Sequence, residues 1–282
     1  MKHMKNFLFL TILFNSLWAY AQERTELNVF SFNVRYNSSS DGVNIWENRK
    51  EWVAESIKFF EGDLVGAQEV NYEQLKDLDS LLPHYDYLGI GRQGGNEGEH
   101  SPIFYRKDRF EVLASETFWL SETPNQVASV GWDAALPRIV TWGHFREKET
   151  GKTFYHFNTH FDHRGRNARK ESASLILRKI KEIAGDEPVV VTGDFNIRPE
   201  EDPYNILTKE LIDTYHQSKE KYGPDHTFNG WDYKSEGEYH RIDFVFFREG
   251  GFTPEKYHVL DGQRGQRFIS DHFPVIVKFR LE

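Results

Sequence analysis

The sequence contains no cysteine. A disulfide framework, a cysteine-based structural zinc site and a lipid-modified cysteine are thereby excluded. A surplus of positive charge is missing too: 35 Lys and Arg stand against 44 Asp and Glu, a formal net charge of −9. That argues against a protein that coats nucleic acid non-specifically, because neutralising phosphates needs a basic face. It leaves a local basic cleft open. No internal repeat, heptad seam or low-complexity stretch occurs, and no Pro- or Gly-rich linker divides residues 22–282. The glycine-rich stretch GRQGGNEGEH, residues 91–100, reads as a loop within one domain.

Long apolar runs are also scarce. The N-terminal one covers residues 6–21, shorter than the roughly 20 residues that span a bilayer. Lys2 and Lys5 precede it, and Ala19 and Ala21 supply small residues at −3 and −1 of a cut before Gln22. This is the pattern of a secretory signal peptide. The expectation is therefore a signal peptide over 1–21 and one domain over 22–282. The mature chain would be an exported monomer, periplasmic or extracellular, without stable membrane insertion.

Aromatic residues are plentiful, with 23 Phe, 13 Tyr and 7 Trp, enough for a large core. Runs such as LNVFSFNV (27–34), LVGAQEV (64–70), RIVTWGHFRE (138–147), TFYHFNTHF (153–161), PVVVTGDF (188–195), IDFVFF (242–247), YHVLDG (257–262) and PVIVKFRL (274–281) read as strands, several alternating with period two. Residues 46–61, 71–82 and 168–184 carry apolar side chains at helical spacing, with Trp52, Ile57, Phe59 and Phe60 in the first. Many strands with few helices predict two sheets packed face to face and covered by helices on the outside.

Chemistry-bearing side chains gather at strand ends. Asn33 closes the first strand and Glu69 the second. His160 and Asp162 end another, and Asp194 and Asn196 follow in TGDFN. Residues two apart on a strand point the same way, so His160 can share a face with Asp162, and Asp194 with Asn196. Asp243 lies inside the apolar RIDFVFF, where an unpaired carboxylate costs several kcal/mol. Asp271 and His272 precede Pro274. Taken singly, each has an ordinary structural role; the signal is in the set and its order.

The successive stretches SFNVRY, QEV, FNTHFDHRG, TGDFN, RIDFVF and SDHFPV resemble the motifs of the endonuclease/exonuclease/phosphatase superfamily, in order from about residue 27 to 281. The resemblance implies an α/β (α+β) fold, a four-layer α/β/β/α sandwich of the deoxyribonuclease I type, with the active site at one end of the two sheets. It implies that Glu69 binds a divalent metal with Asn33 beside it and Asp271 in or near the metal shell. Asp194 would position or deprotonate the attacking water, and Asn196 would hold a phosphate oxygen. His272, oriented by Asp243, would bind the phosphate from one side and His160 from the other. Glu99 would pair with His160, and Asp162 would support the same region. A cysteine-free, carboxylate-rich set suits Mg²⁺ or Mn²⁺.

The substrate is less legible. Arg138 can clamp a phosphate. Trp132 can stack on a substrate or anchor its own loop. Arg164, Arg166 and Arg169 follow the His160 strand, Phe228 and Trp231 occupy a loop, and Arg264 and Arg267 precede Asp271. The expectation is a metal-dependent phosphoric ester hydrolase whose substrate is a small or lipid-linked phosphoester rather than nucleic acid. A secreted nuclease and a non-catalytic phosphoester-binding protein are the alternatives.

Overall fold

The computed structural model describes residues 26–232, 240–265 and 267–282. The expected signal peptide lies outside the described residues. Two sheets dominate. The first contains β1 (Glu26–Asn33), β2 (Leu64–Gln68), β3 (Tyr85–Leu88), β4 (Ile103–Arg106), β10 (Glu220–Tyr222), β12 (Phe252–Val259) and β15 (Val275–Leu281), in the order β10-β12-β15-β1-β2-β4-β3. The second contains β5 (Phe110–Trp119), β6 (Ile139–Glu147), β7 (Thr153–His160), β8 (Val189–Asp194), β9 (Ile212–Asp213) and β11 (Asp243–Phe247), in the order β5-β6-β7-β8-β11-β9. A small hairpin joins β13 (Gln263–Arg264) to β14 (Arg267–Phe268).

Helices α1 (Lys50–Phe59) and α2 (Tyr72–Leu81) cover the outer face of the first sheet, sealing a cluster with Phe30, Phe32, Ile57, Leu75 and Phe104. Helix α3 (Arg166–Ala184) covers the second sheet through Ile176, Ile180, Phe157, Val191 and Phe195. Between the sheets, Val29, Phe145, Phe154, Val245, Val277 and Phe279 form a third cluster. Each sheet is therefore apolar on both faces, which fits its near-continuous hydrophobic strands. These are the four layers that the sequence predicts.

Three local departures have clear causes. The expected helix over 46–61 opens as a 3₁₀ turn, Trp46–Asn48, because Arg49 adopts φ −124° and interrupts the helix. Val53, Ala54 and Ile57 then face the core, and Phe59 is left 79 % exposed. The strand expected at 257–262 runs instead over Phe252–Val259. Its start was hidden by Pro254, which sits at a register irregularity where a missing N–H is tolerated. The short α4 (Asp202–Leu207) and α5 (Thr214–Gln217) carry no long periodic signal.

Beneath the end where β1, β2, β7 and β8 finish, the inter-sheet contact is polar. Asn158 donates to the carbonyls of Ala67 (2.7 Å) and Pro102 (2.9 Å) and accepts from Gln68 Nε2 (2.7 Å) and Thr192 Oγ1 (2.9 Å). Gly193 N donates to Ser31 Oγ at 2.9 Å. Gly66 permits this approach: a Cβ there would lie 2.0 Å from Thr192 Oγ1 and 2.5 Å from Asn158 Oδ1.

Candidate active site

Strand register places the key side chains in a row. His160 on β7 is paired with Asp194 on β8, and Asp194 with Asp243 on β11. On the other sheet Asn33 is paired with Gln68, directly before Glu69. The two rows meet. Asn33 Nδ2 donates to Asp194 Oδ2 at 2.9 Å and to Glu69 Oε1 at 3.2 Å, and lies 3.5 Å from His272 Nε2. Asn33 Oδ1 is held by the Arg35 N–H at 2.9 Å, which fixes the amide's orientation. Asn33 therefore acts as a donor toward both carboxylates, and its oxygen points to the backbone.

Three residues here adopt left-handed backbone conformations without being glycine: Arg35 (φ 60°), Glu69 (φ 62°) and Asn196 (φ 49°). Such conformations cost roughly 1–3 kcal/mol each and concentrate at functional sites. Local bonds hold them. Glu69 Oε2 accepts the Tyr36 N–H at 3.1 Å, and the Asn196 N–H donates to Asp194 Oδ1 at 3.0 Å.

His272 Nδ1 donates to Asp243 Oδ2 at 2.9 Å, and its Nε2 lies 3.8 Å from Asp194 Oδ2. Burial alone would lower this imidazole, but the Asp243 and Asp194 carboxylates outweigh it and hold His272 well above the ordinary histidine value. His160 behaves oppositely. Burial, then the positive groups Arg138 and His272, push it well below that value. Its Nε2 accepts a hydrogen bond from Asn196 Nδ2 at 3.1 Å and lies 3.4 Å from Asp194 Oδ2. Burial, reinforced by the Asp243 charge, pushes Asp194 up to about 7.

The donor chemistry fits a hard divalent cation. Ligand atoms of Glu69, His160 and Asp194 lie within 4.8 Å of one another, as do those of Asp194, Asp243 and His272. Carboxylate oxygens dominate both groups, as Mg²⁺ or Mn²⁺ prefers.

Several expected residues play other parts. Asp271 is not in either cluster; its carboxylate lies 3.7 Å from Arg35 Nε and 3.3 Å from Ser270 Oγ. Arg35 also pairs with Asp41 at 3.0 Å and approaches Glu69 at 3.9 Å, so a cation from the chain already occupies that side. Glu99 pairs with Arg92 at 2.8 Å rather than with His160, although both line a small cavity with Arg138 and His160. Burial raises the Glu99 carboxyl against the opposing pull of Arg92. Asp162 lies beyond the end of β7, where the chain turns. It accepts the N–H groups of Ala135 (3.0 Å), Arg164 (2.9 Å) and Gly165 (2.7 Å), and lies 3.5 Å from Arg138 Nε. It thus organises a loop and aims Arg138, whose Nη2 lies 3.0 Å from His163 Nδ1.

Trp132 packs partly buried against the cluster under α3, and its N–H donates to Glu122. Its ring anchors the loop, the second of its two expected roles. Arg164 and Arg166 are exposed, whereas Arg169 is buried and donates to the Asp162 carbonyl at 3.0 Å. Arg264 lies over Trp52 and pairs with Glu55 on α1, which commits it to that helix. Phe228 sits at the rim, 40 % exposed, with its ring 5.0 Å from His272. Arg35, Arg92 and His163 were not singled out from sequence. Arg35 had one available signal, its place two residues after Asn33.

Comparison with known proteins follows the same lines. A crystal structure of an endonuclease/exonuclease/phosphatase from Bacteroides vulgatus is 42 % identical, with a TM-score of 0.88 over 91 % of this chain and 99 % of that one. A mannosyl-6-phosphatase from Bacteroides thetaiotaomicron is likewise 42 % identical, with a TM-score of 0.84 over 90 % and 99 %. The nocturnin of Drosophila melanogaster is 25 % identical over 84 % of this chain, which spans only 42 % of that protein. The profile of the Endonuclease/Exonuclease/phosphatase family matches residues 30–272. With its motif residues converging on one end of the paired sheets, this chain belongs to the Endonuclease/Exonuclease/phosphatase family.

Proposed function

We propose that the protein is an exported, divalent-metal-dependent phosphoric ester hydrolase, acting as a monomer on small phosphomonoesters of the sugar phosphate type. The observation that carries the reading is the meeting of Asn33 and Glu69 from one sheet with Asp194, Asp243 and His272 around one point. The mannosyl-6-phosphatase relative, 42 % identical over nearly its whole length, supports the choice of substrate class. The net charge of −9 weighs against a nucleic-acid substrate. The N-terminal pattern supports export.

Glu69 would hold the cation beside Asp194, and the cation when bound supplies positive charge to the phosphoryl oxygens and the leaving oxygen. Asp194 accepts a proton from the attacking water and orients it in line with the bond that breaks. His272, kept cationic by Asp243, donates to a phosphoryl oxygen. Asn196 and neutral His160, bonded to each other, stand beside Asp194, and Arg138 lines the same small cavity as His160. Phe228 gives the rim an apolar face against which the carbon skeleton of a sugar can rest.

The test offers purified protein, with Mg²⁺ or Mn²⁺, a hexose 6-phosphate, p-nitrophenyl phosphate, bis-p-nitrophenyl phosphate, sphingomyelin and plasmid DNA. Phosphate release from the monoesters is the expected result. Cleavage of the diester alone would replace the phosphatase reading with a phosphodiesterase. Plasmid nicking would favour a nuclease, and inertness toward all of them a binding protein.

A further inference from the structure

We infer that Arg49 is a positioning residue for this active site: its buried guanidinium ties the exit of β1 to the segment carrying Asp271 and His272, and so sets the separation of Asn33 from His272. The inference rests on the hydrolase reading for its kinetic consequence, while its geometric content stands alone.

Arg49 is 1 % exposed. Its donors go to main-chain carbonyls on three segments. Nη1 reaches Val34 O (2.9 Å) and Ile269 O (2.8 Å), Nε reaches Asn44 O (2.6 Å), and Nη2 lies 3.5 Å from Arg35 O. Val34 directly follows Asn33, and Ile269 precedes His272 by three residues. One nitrogen therefore bridges the two segments that supply the two side chains. Ser270 Oγ, donating to Asn33 O at 2.7 Å, makes a second tie between them.

The guanidinium faces are filled as well. Trp46 lies on it with its ring centroid 5.6 Å from Cζ, and Trp231 with its centroid at 5.1 Å. Trp231 belongs to the loop that carries Phe228. That loop is bonded to the Asp271 carbonyl through the N–H groups of Asn229 (2.8 Å) and Gly230 (3.1 Å). One planar cation thus joins three parts of the site's wall. A lone buried charge used only to fill space would be costly. Here its fork of donors matches carbonyls that strand pairing leaves free, a geometry that lysine cannot reproduce.

Arg49→Lys, shown to be folded by circular dichroism and assayed well below its melting point, tests this. The expected outcome is a fall in kcat of about tenfold or more, because small displacements of positioned groups are expensive, with KM changed far less. Its crystal structure should show the Asn33–His272 contact lengthened. Guanidinium ion added to Arg49→Ala should restore kcat, and it carries the test if Arg49→Lys does not fold. An unchanged Asn33–His272 separation, or a kcat within about twofold of wild type in the folded variant, overturns the inference. So does guanidinium that raises the melting point of Arg49→Ala without raising kcat. Wild-type protein without turnover on any phosphoester would instead defeat the hydrolase reading, leaving the crystallographic comparison to decide the role of Arg49.

Discussion

His272 and Asp243 are joined by a 2.9 Å hydrogen bond in a setting where both side chains are buried. Thr227 Oγ1 accepts the Asp243 N–H at 3.1 Å and so fixes the carboxylate's backbone. Asp243→Asn keeps the shape and removes the charge that holds the imidazole protonated. The expected result is a loss in kcat on the order of 10²–10⁴, read by steady-state assay. A variant with near-normal kcat would remove the pair from the mechanism.

Asp194 separates activity from stability. It is buried beside Asp243, so its charge is unfavourable to the fold. Asp194→Asn should abolish turnover, by about 10³-fold or more, while the melting temperature holds steady or rises. Calorimetry and the phosphate-release assay check the two halves. Retained turnover would show that Asp194 does not act on the water.

Removal of metal is the third test. Chelation with EDTA should abolish turnover, and Mg²⁺ or Mn²⁺ should restore it. Glu69→Gln should raise the metal concentration needed for half-maximal rate, because it removes a charged oxygen from the cation's surroundings. Chelator-insensitive hydrolysis would take the cation out of the proposed chemistry.

His156 predicts a pH dependence of the fold itself. It is fully buried, its Nε2 lies 2.8 Å from Thr192 Oγ1, and burial pushes it down to about 3. An unfolded histidine titrates near 6.5. Between about pH 6.5 and 3 the unfolded chain therefore binds a proton that the folded chain refuses. Stability from this group is whole above 6.5 and is lost as pH falls, by about 1.4 kcal/mol per unit. Urea unfolding at pH 7 and pH 5 should show a smaller drop in His156→Gln than in wild type. Equal drops would mean that His156 does not resist protonation.

The strand-end polar residues were readable because an acid or amide is conspicuous against Val189–Val191 or Phe244–Phe247. Pattern was enough for the sheets and the helices that cover them, whereas the convergence of Asn33, Glu69, His160, Asp194, Asp243 and His272 was legible only through the resemblance of the ordered motifs to a known superfamily. What resisted reading depends on partners distant in sequence. Glu99 is chosen by Arg92 across a tight glycine-rich turn, and period and composition do not encode that choice. Asp162 answers to the N–H groups of a turn that exists only once the chain bends after His160. Arg49 looks like one more charge at a helix start, because main-chain carbonyls leave no mark in a sequence.

The polar contact among Asn158, Gln68, Thr192 and Ser31 has a consequence for how the molecule tolerates change. Greasy surfaces glide over one another at little expense, whereas directional bonds lock an offset. Asn33 and Glu69 travel with one slab of the molecule, and His160, Asp194 and Asp243 with the other. Alignment of the two half-sites is thus decided underneath them. Gly66→Ala would drive a methyl group into that lock and misalign the halves while touching neither.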